Sequence, residues 1–91
     1  MSRLTTEQIA VYMRNLPQWR FEEDRLTKTF HFTNFSESLQ FTNRVGTLAE
    51  SANHHPEILI RYNRVKITLT THGENGVTGK DLLLAQQIDS I

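Results

Sequence analysis

Alternating and helical patterns of apolar residues divide this chain into seven elements. Thr5 or Thr6 can cap a first helix whose apolar set is Ile9, Val11, Tyr12, Met13 and Leu16, with Pro17 ending it. Trp19 and Phe21 then alternate with Arg20 and Glu22 as a short strand, and Glu23-Asp24 forms a turn. From Arg25 the alternation resumes, with Leu26, Phe30 and Phe32 on one face and Thr27, Thr29, His31 and Thr33 on the other. Lys28 is the misfit on the apolar face, where its stem can cover the core while its charge reaches water. Asn34-Phe-Ser-Glu37 reads as a capping box opening the longest helix. On a helical wheel Phe35, Leu39, Phe41, Val45, Leu48, Ala49 and Ala52 span close to half the circumference. That arc is wider than packing on one sheet needs, and a subunit contact would use the excess.

Pro56 predicts that this helix stops at Asn53 or His54, because a residue before proline is pushed away from helical angles. Ile58, Ile60 and Tyr62 alternate with Leu59 and Arg61, which gives Tyr62 a packing role. After Asn63-Arg64, Val65, Ile67 and Leu69 alternate with Lys66, Thr68 and Thr70. The two runs predict a tight hairpin turning at Asn63-Arg64. A glycine-containing connection, Gly73 to Gly79, leads to a second capping box, Thr78-Gly-Lys-Asp81. Leu82, Leu83, Leu84, Ala85, Ile88 and Ile91 supply the last helix. The order α-β-β-α-β-β-α predicts a single α+β domain over residues 1–91, with an antiparallel sheet covered by helices on one face.

Candidate chemistry gathers at Glu50-Ser-Ala-Asn-His54-His55-Pro56. Histidine titrates near neutral pH, so a histidine cluster suits proton transfer. The hairpin returns the end of its second strand to the start of its first, which brings His72 near His55-Pro56. Helix-end histidines commonly contact C-terminal carbonyls, and Asp81 at the fourth position of its box has capping as its plain structural role. Glu50 at the helix edge has a solvated-charge reading, and Trp19 a core reading. His31 lies on a polar strand face and receives no role. Adjacent histidines lack the usual spacing of zinc ligands, so no metal site is expected from His54, His55, His72 and Asp81.

Composition narrows the classes. Ten basic and ten acidic residues cancel, which argues against direct nucleic-acid binding. With no cysteine, disulfides and thiolate chemistry are excluded. The polar start predicts no secretory leader, and no run approaches the roughly 18 apolar residues of a membrane span, so a cytoplasmic protein is expected.

The run Glu50-x3-His54-His55-Pro56-x5-Tyr62-x9-His72-x8-Asp81 resembles the signature of the pterin-4a-carbinolamine dehydratases. The likeness extends upstream to Trp19, the Phe30-His31-Phe32 strand and the Phe35 to Ala52 helix. It implies a four-stranded antiparallel sheet with three helices on one face, assembling as a homodimer or a homotetramer. It also implies a hydro-lyase that needs no metal or organic cofactor and converts a 4a-hydroxytetrahydropterin to the quinonoid dihydropterin and water. On this resemblance His54 and His72 become the acid/base pair, and His55 positions the pterin. Glu50 and Asp81 orient histidines, Pro56 shapes the site, and Trp19 offers an aromatic wall. Many family members carry Asp just before the histidine pair, where this chain has Asn53, removing a negative charge that favours protonated histidine. Some relatives also act as dimerisation cofactors of a transcription factor. A non-enzymatic binding role, and the same reaction on another pterin such as one linked to molybdenum cofactor, are therefore the competing expectations.

Overall fold

The computed structural model describes residues 2–91. Helix α1 (Thr6–Tyr12) is capped by Thr5, which forms a reciprocal box with Gln8. A 3-10 turn, Met13–Asn15, follows and leads to strand β1 (Arg20–Glu22). Strand β2 (Arg25–His31), helix α2 (Phe35–Ala52), strands β3 (Glu57–Arg61) and β4 (Arg64–Leu69), a 3-10 turn at His72–Glu74 and helix α3 (Gly79–Asp89) complete the chain. All neighbouring strands are antiparallel, in the order β1-β2-β4-β3. This is the expected α+β arrangement of a four-stranded sheet and three helices.

Period-two alternation sorts the strand residues. Leu26, Val65, Ile67 and Leu69 are buried and pack with Ile9, Leu16, Phe41, Val45, Leu84 and Ile88 from the helices. Thr29, His31, Leu59, Arg61, Arg64 and Lys66 point to the other face and are exposed. Only one stripe of α2 enters the core: Ser38, Phe41, Val45 and Ala49, spaced at three or four residues as a helix face requires. Of the rest of the wide apolar arc, Leu48 is half-buried against the core, while Phe35, Leu39 and Ala52 are exposed. Val11, Tyr12, Leu83 and Ile91, read from sequence as apolar helix positions, are exposed too.

Three local readings change. Lys28 sends its charge to a partner rather than to water alone. Its ammonium lies 2.8 Å from Asp89 and 4.5 Å from the centre of the Phe30 ring, so the misfit is neutralised by an acid from the end of α3. Glu37 reaches past its cap residue, accepting the Thr33 N–H at 2.8 Å, while Asn34 Oδ1 accepts the Glu37 N–H at 2.9 Å. The second hairpin turns at Tyr62-Asn63, one residue earlier than expected, because Arg61 pairs with Arg64. Tyr62 is therefore a turn residue with φ 51°, 65% exposed, and not a packing residue.

Candidate active site

The site is built where α2 ends. Asn53 adopts the left-handed conformation, φ 50°, and closes the helix. Asparagine tolerates this geometry better than most residues because its short polar side chain can bond locally. The reversal lets the His54 N–H bond the Ala49 carbonyl at 3.1 Å and turns the His54 imidazole inward, leaving 11% of its side chain exposed. His55, next in the chain, faces out, and half-buried Pro56 leads into β3.

Asp81 is fully buried in the first turn of α3, an acid placed at the positive end of the helix dipole. Its Oδ2 accepts the Thr78 N–H at 2.9 Å and the Thr71 hydroxyl at 2.8 Å. Its Oδ1 lies 2.5 Å from His54 Nε2. Capping and histidine-holding are thus carried by the two oxygens of one side chain. A carboxylate in its ionised form only accepts hydrogen bonds, so with Asp81 in that form the hydrogen of this contact sits on His54 Nε2.

Thr71 and Thr78 fix the carboxylate. Their hydroxyl oxygens are 2.9 Å apart, and the Thr78 oxygen already accepts the Lys80 N–H at 3.3 Å. The Thr78 hydroxyl hydrogen can then go to Thr71, and that of Thr71 to Asp81. Sequence reasoning found Thr78 and Asp81 through their box but missed Thr71. Thr71 is in reach because it bridges Gly76, its N–H bonding the Gly76 carbonyl at 2.9 Å, which folds the chain back just before Thr78.

The remaining residues are distributed unevenly. His55 Nε2 contacts Glu50 Oε2, with both side chains largely in solvent. His72 opens the 3-10 turn directly after Thr71, and its exposed side chain lines a cleft of about 220 Å³ with Asp24, Arg25 and Asn75. Among the described residues its imidazole has no hydrogen bond or ion pair with His54 or His55. His54 lines a separate cleft of about 250 Å³ between α2 and α3, with Leu48, Lys80, Leu83 and Gln87. Trp19 is 3% exposed and donates its indole N–H to Asp89 at 3.1 Å. Asp89 is eight residues beyond Asp81 on α3, about 12 Å along its axis. The structure therefore holds Trp19 in the core, away from the His54–Asp81 contact. Among the described residues no three His, Asp or Glu side chains are grouped to hold a metal ion.

These features define a small α+β domain with a carboxylate-held histidine between its second and third helices. The chain belongs to the pterin-4a-carbinolamine dehydratase family, a family of hydro-lyases, whose model ("Pterin 4 alpha carbinolamine dehydratase") matches residues 2–91. It is 47% identical over 88 residues to a Thermomicrobium roseum protein named "Putative pterin-4-alpha-carbinolamine dehydratase", covering 97% of this chain and 95% of that one. A Metallosphaera sedula protein of the same name is 45% identical over 91 residues, covering 100% and 95%. The crystal structure of a Brucella melitensis "transcriptional coactivator/pterin dehydratase" matches with a TM-score of 0.94 at 36% identity, over 98% of this chain and 97% of that one. A pterin dehydratase-like protein described as a RuBisCO assembly factor shares the fold, with a TM-score of 0.66 at 22% identity over 79% and 83% of the two chains.

Proposed function

We propose that this protein dehydrates a 4a-hydroxytetrahydropterin to the quinonoid dihydropterin by histidine acid–base catalysis. The observation that carries the reading is the contact between His54 and a fully buried Asp81. In a carbinolamine one carbon bears both hydroxyl and nitrogen. The nitrogen lone pair expels the hydroxyl, a general acid protonates it as it leaves, and the ring nitrogen loses a proton, so the balance is the loss of one water. With Nε2–H held by Asp81, His54 has Nδ1 to receive the ring proton, and the carboxylate supports the imidazolium that forms. His72, which has no carboxylate partner among the described residues, is the candidate donor to the leaving hydroxyl, and His55 with Glu50 positions the pterin. Each acid or base step contributes roughly 10²–10⁴-fold. Stopped-flow ultraviolet spectroscopy of 4a-hydroxytetrahydropterin decay tests this. Acceleration that vanishes in His54→Ala supports it, and no acceleration between pH 6 and 9 overturns it.

The assembly we propose is a homo-oligomer formed through the uncovered flank of α2. Phe35 and Leu39 are exposed there, and Gly46 has open space where a side chain would sit. Phe41 is buried in the protomer's own core, so Leu39→Glu is the probe of this face, read by light scattering. The same flank supports the second reading, a protein-binding role of the kind named for the Brucella neighbour. The cytoplasm is the compartment that goes with a pterin-recycling reaction. A pterin linked to molybdenum cofactor is the competing substrate, and comparing turnover of the two separates them.

A further inference from the structure

The face of the sheet away from the helices carries a charge arrangement the dehydratase reading does not use. Arg61 of β3 and Arg64 of β4 are directly opposed in the register. Lys66 sits one same-face row further along β4, between Thr29 of β2 and Leu59 of β3. Together Thr29, Leu59, Arg61, Arg64 and Lys66 line one concavity of about 190 Å³. His31 is the β2 partner of Arg64 and extends the same row. Among the described residues none of the three permanent cations forms an ion pair. The nearest acid along this face of β3 is Glu57, at the opposite end of the strand.

Such an arrangement opposes folding. Like charges directly opposite on neighbouring strands are destabilising, and the two-residue Tyr62-Asn63 turn gives Arg61 and Arg64 no other register. Three unmatched cations around one hollow are matched by an oxyanion-rich ligand.

We propose that this concavity binds the polyphosphate group of a small molecule, with Arg61 and Arg64 as its two guanidinium forks and Lys66 as the third charge. Guanidinium planes match phosphate oxygens two at a time, and lysine adds a compact point charge. A compact group suits the site better than a nucleic-acid backbone, which calls for an extended basic stripe and usually a basic excess. Here the cations share one small hollow, and the whole chain is neutral.

Calorimetric titration of the intact protein with inorganic tripolyphosphate tests the assignment. The expected result is saturable binding of one tripolyphosphate per protomer that weakens about tenfold for each of Arg61→Thr, Arg64→Thr and Lys66→Thr, since charge-assisted hydrogen bonds are the strong ones. Threonine suits a strand, so Arg64→Thr should melt at or above the wild-type temperature while losing affinity, which separates loss of the site from loss of the fold. Arg44→Ala on α2 should bind as wild type, and Arg64→Thr should turn over pterin at the wild-type rate. Absence of saturable binding, or binding untouched by the Arg61→Thr/Arg64→Thr pair, overturns the proposal. So does much tighter binding of a single-stranded oligonucleotide than of tripolyphosphate, which would assign the face to nucleic acid.

Discussion

Two histidines, adjacent in sequence, have been given the same partner chemistry in opposite surroundings. His54 meets Asp81 in the interior, and His55 meets Glu50 in solvent. The first carboxylate is held by a backbone N–H and a threonine hydroxyl before the imidazole reaches it. The second has no other side-chain hydrogen bond among the described residues, and water competes for both members of the pair. An exposed pair of this kind contributes about 0–1 kcal/mol and is screened by salt. Breaking a buried one strands a polar group without solvent, which costs more. The difference is one of fixation: the buried contact holds His54 in one place, while His55 keeps a contact that solvent contests.

The largest effect expected from breaking this comparison is that of His54→Ala, a fall in kcat of roughly 10²–10⁴-fold with a much smaller change in KM, read by stopped-flow kinetics. Asp81→Ala should lose both the helix cap and the histidine support, lowering stability by about 2–3 kcal/mol in urea unfolding as well as slowing turnover. Thr71→Val keeps the shape but removes one donor to Asp81. We expect about 1–2 kcal/mol of destabilisation and slower turnover, both largely restored in Thr71→Ser. Glu50→Gln should change stability by less than about 0.5 kcal/mol, within the spread of ordinary surface substitutions. A Glu50→Gln effect as large as that of Asp81→Ala would erase the distinction between the two pairs.

Much of the fold was legible because it rests on short-range rules. A cap at Thr5 or Thr6, the Thr78 box, the Asn34 cap and the alternation in β2 and β4 each come from neighbours within a few residues, and the structure puts the first cap at Thr5. The Glu23-Asp24 turn was legible too, and both residues there have positive φ, as a type I′ hairpin turn requires. The second hairpin was misplaced for a definite reason. A turn at 63–64 pairs Tyr62 with Val65 and Ile60 with Ile67; the observed turn pairs Ile60 with Val65 and Ile58 with Ile67. Both keep apolar residues on one face, so a period-two pattern does not separate them.

The division of the apolar arc of α2 between core and surface was not readable. Phe41, Val45 and Ala49 meet the core while Phe35 and Leu39 stay outside. The wheel orders the residues around the helix, but only the position of the sheet decides which part of the arc is covered. The fate of Lys28 was hidden in the same way, since its partner Asp89 is 61 residues away in sequence.

By itself the sequence determined the order of elements, the caps, the sides of the strands and the family signature, all of them set by local periodicity and residue chemistry. Only the tertiary structure decided which histidine received the buried carboxylate. His54 and Asp81 are 27 residues apart in sequence, and Thr71 comes from a third segment. Their meeting depends on the β3–β4 register and on the end of α2 packing against the start of α3. Such contacts between distant segments are fixed by the packing of the whole core, and no short window of sequence contains it.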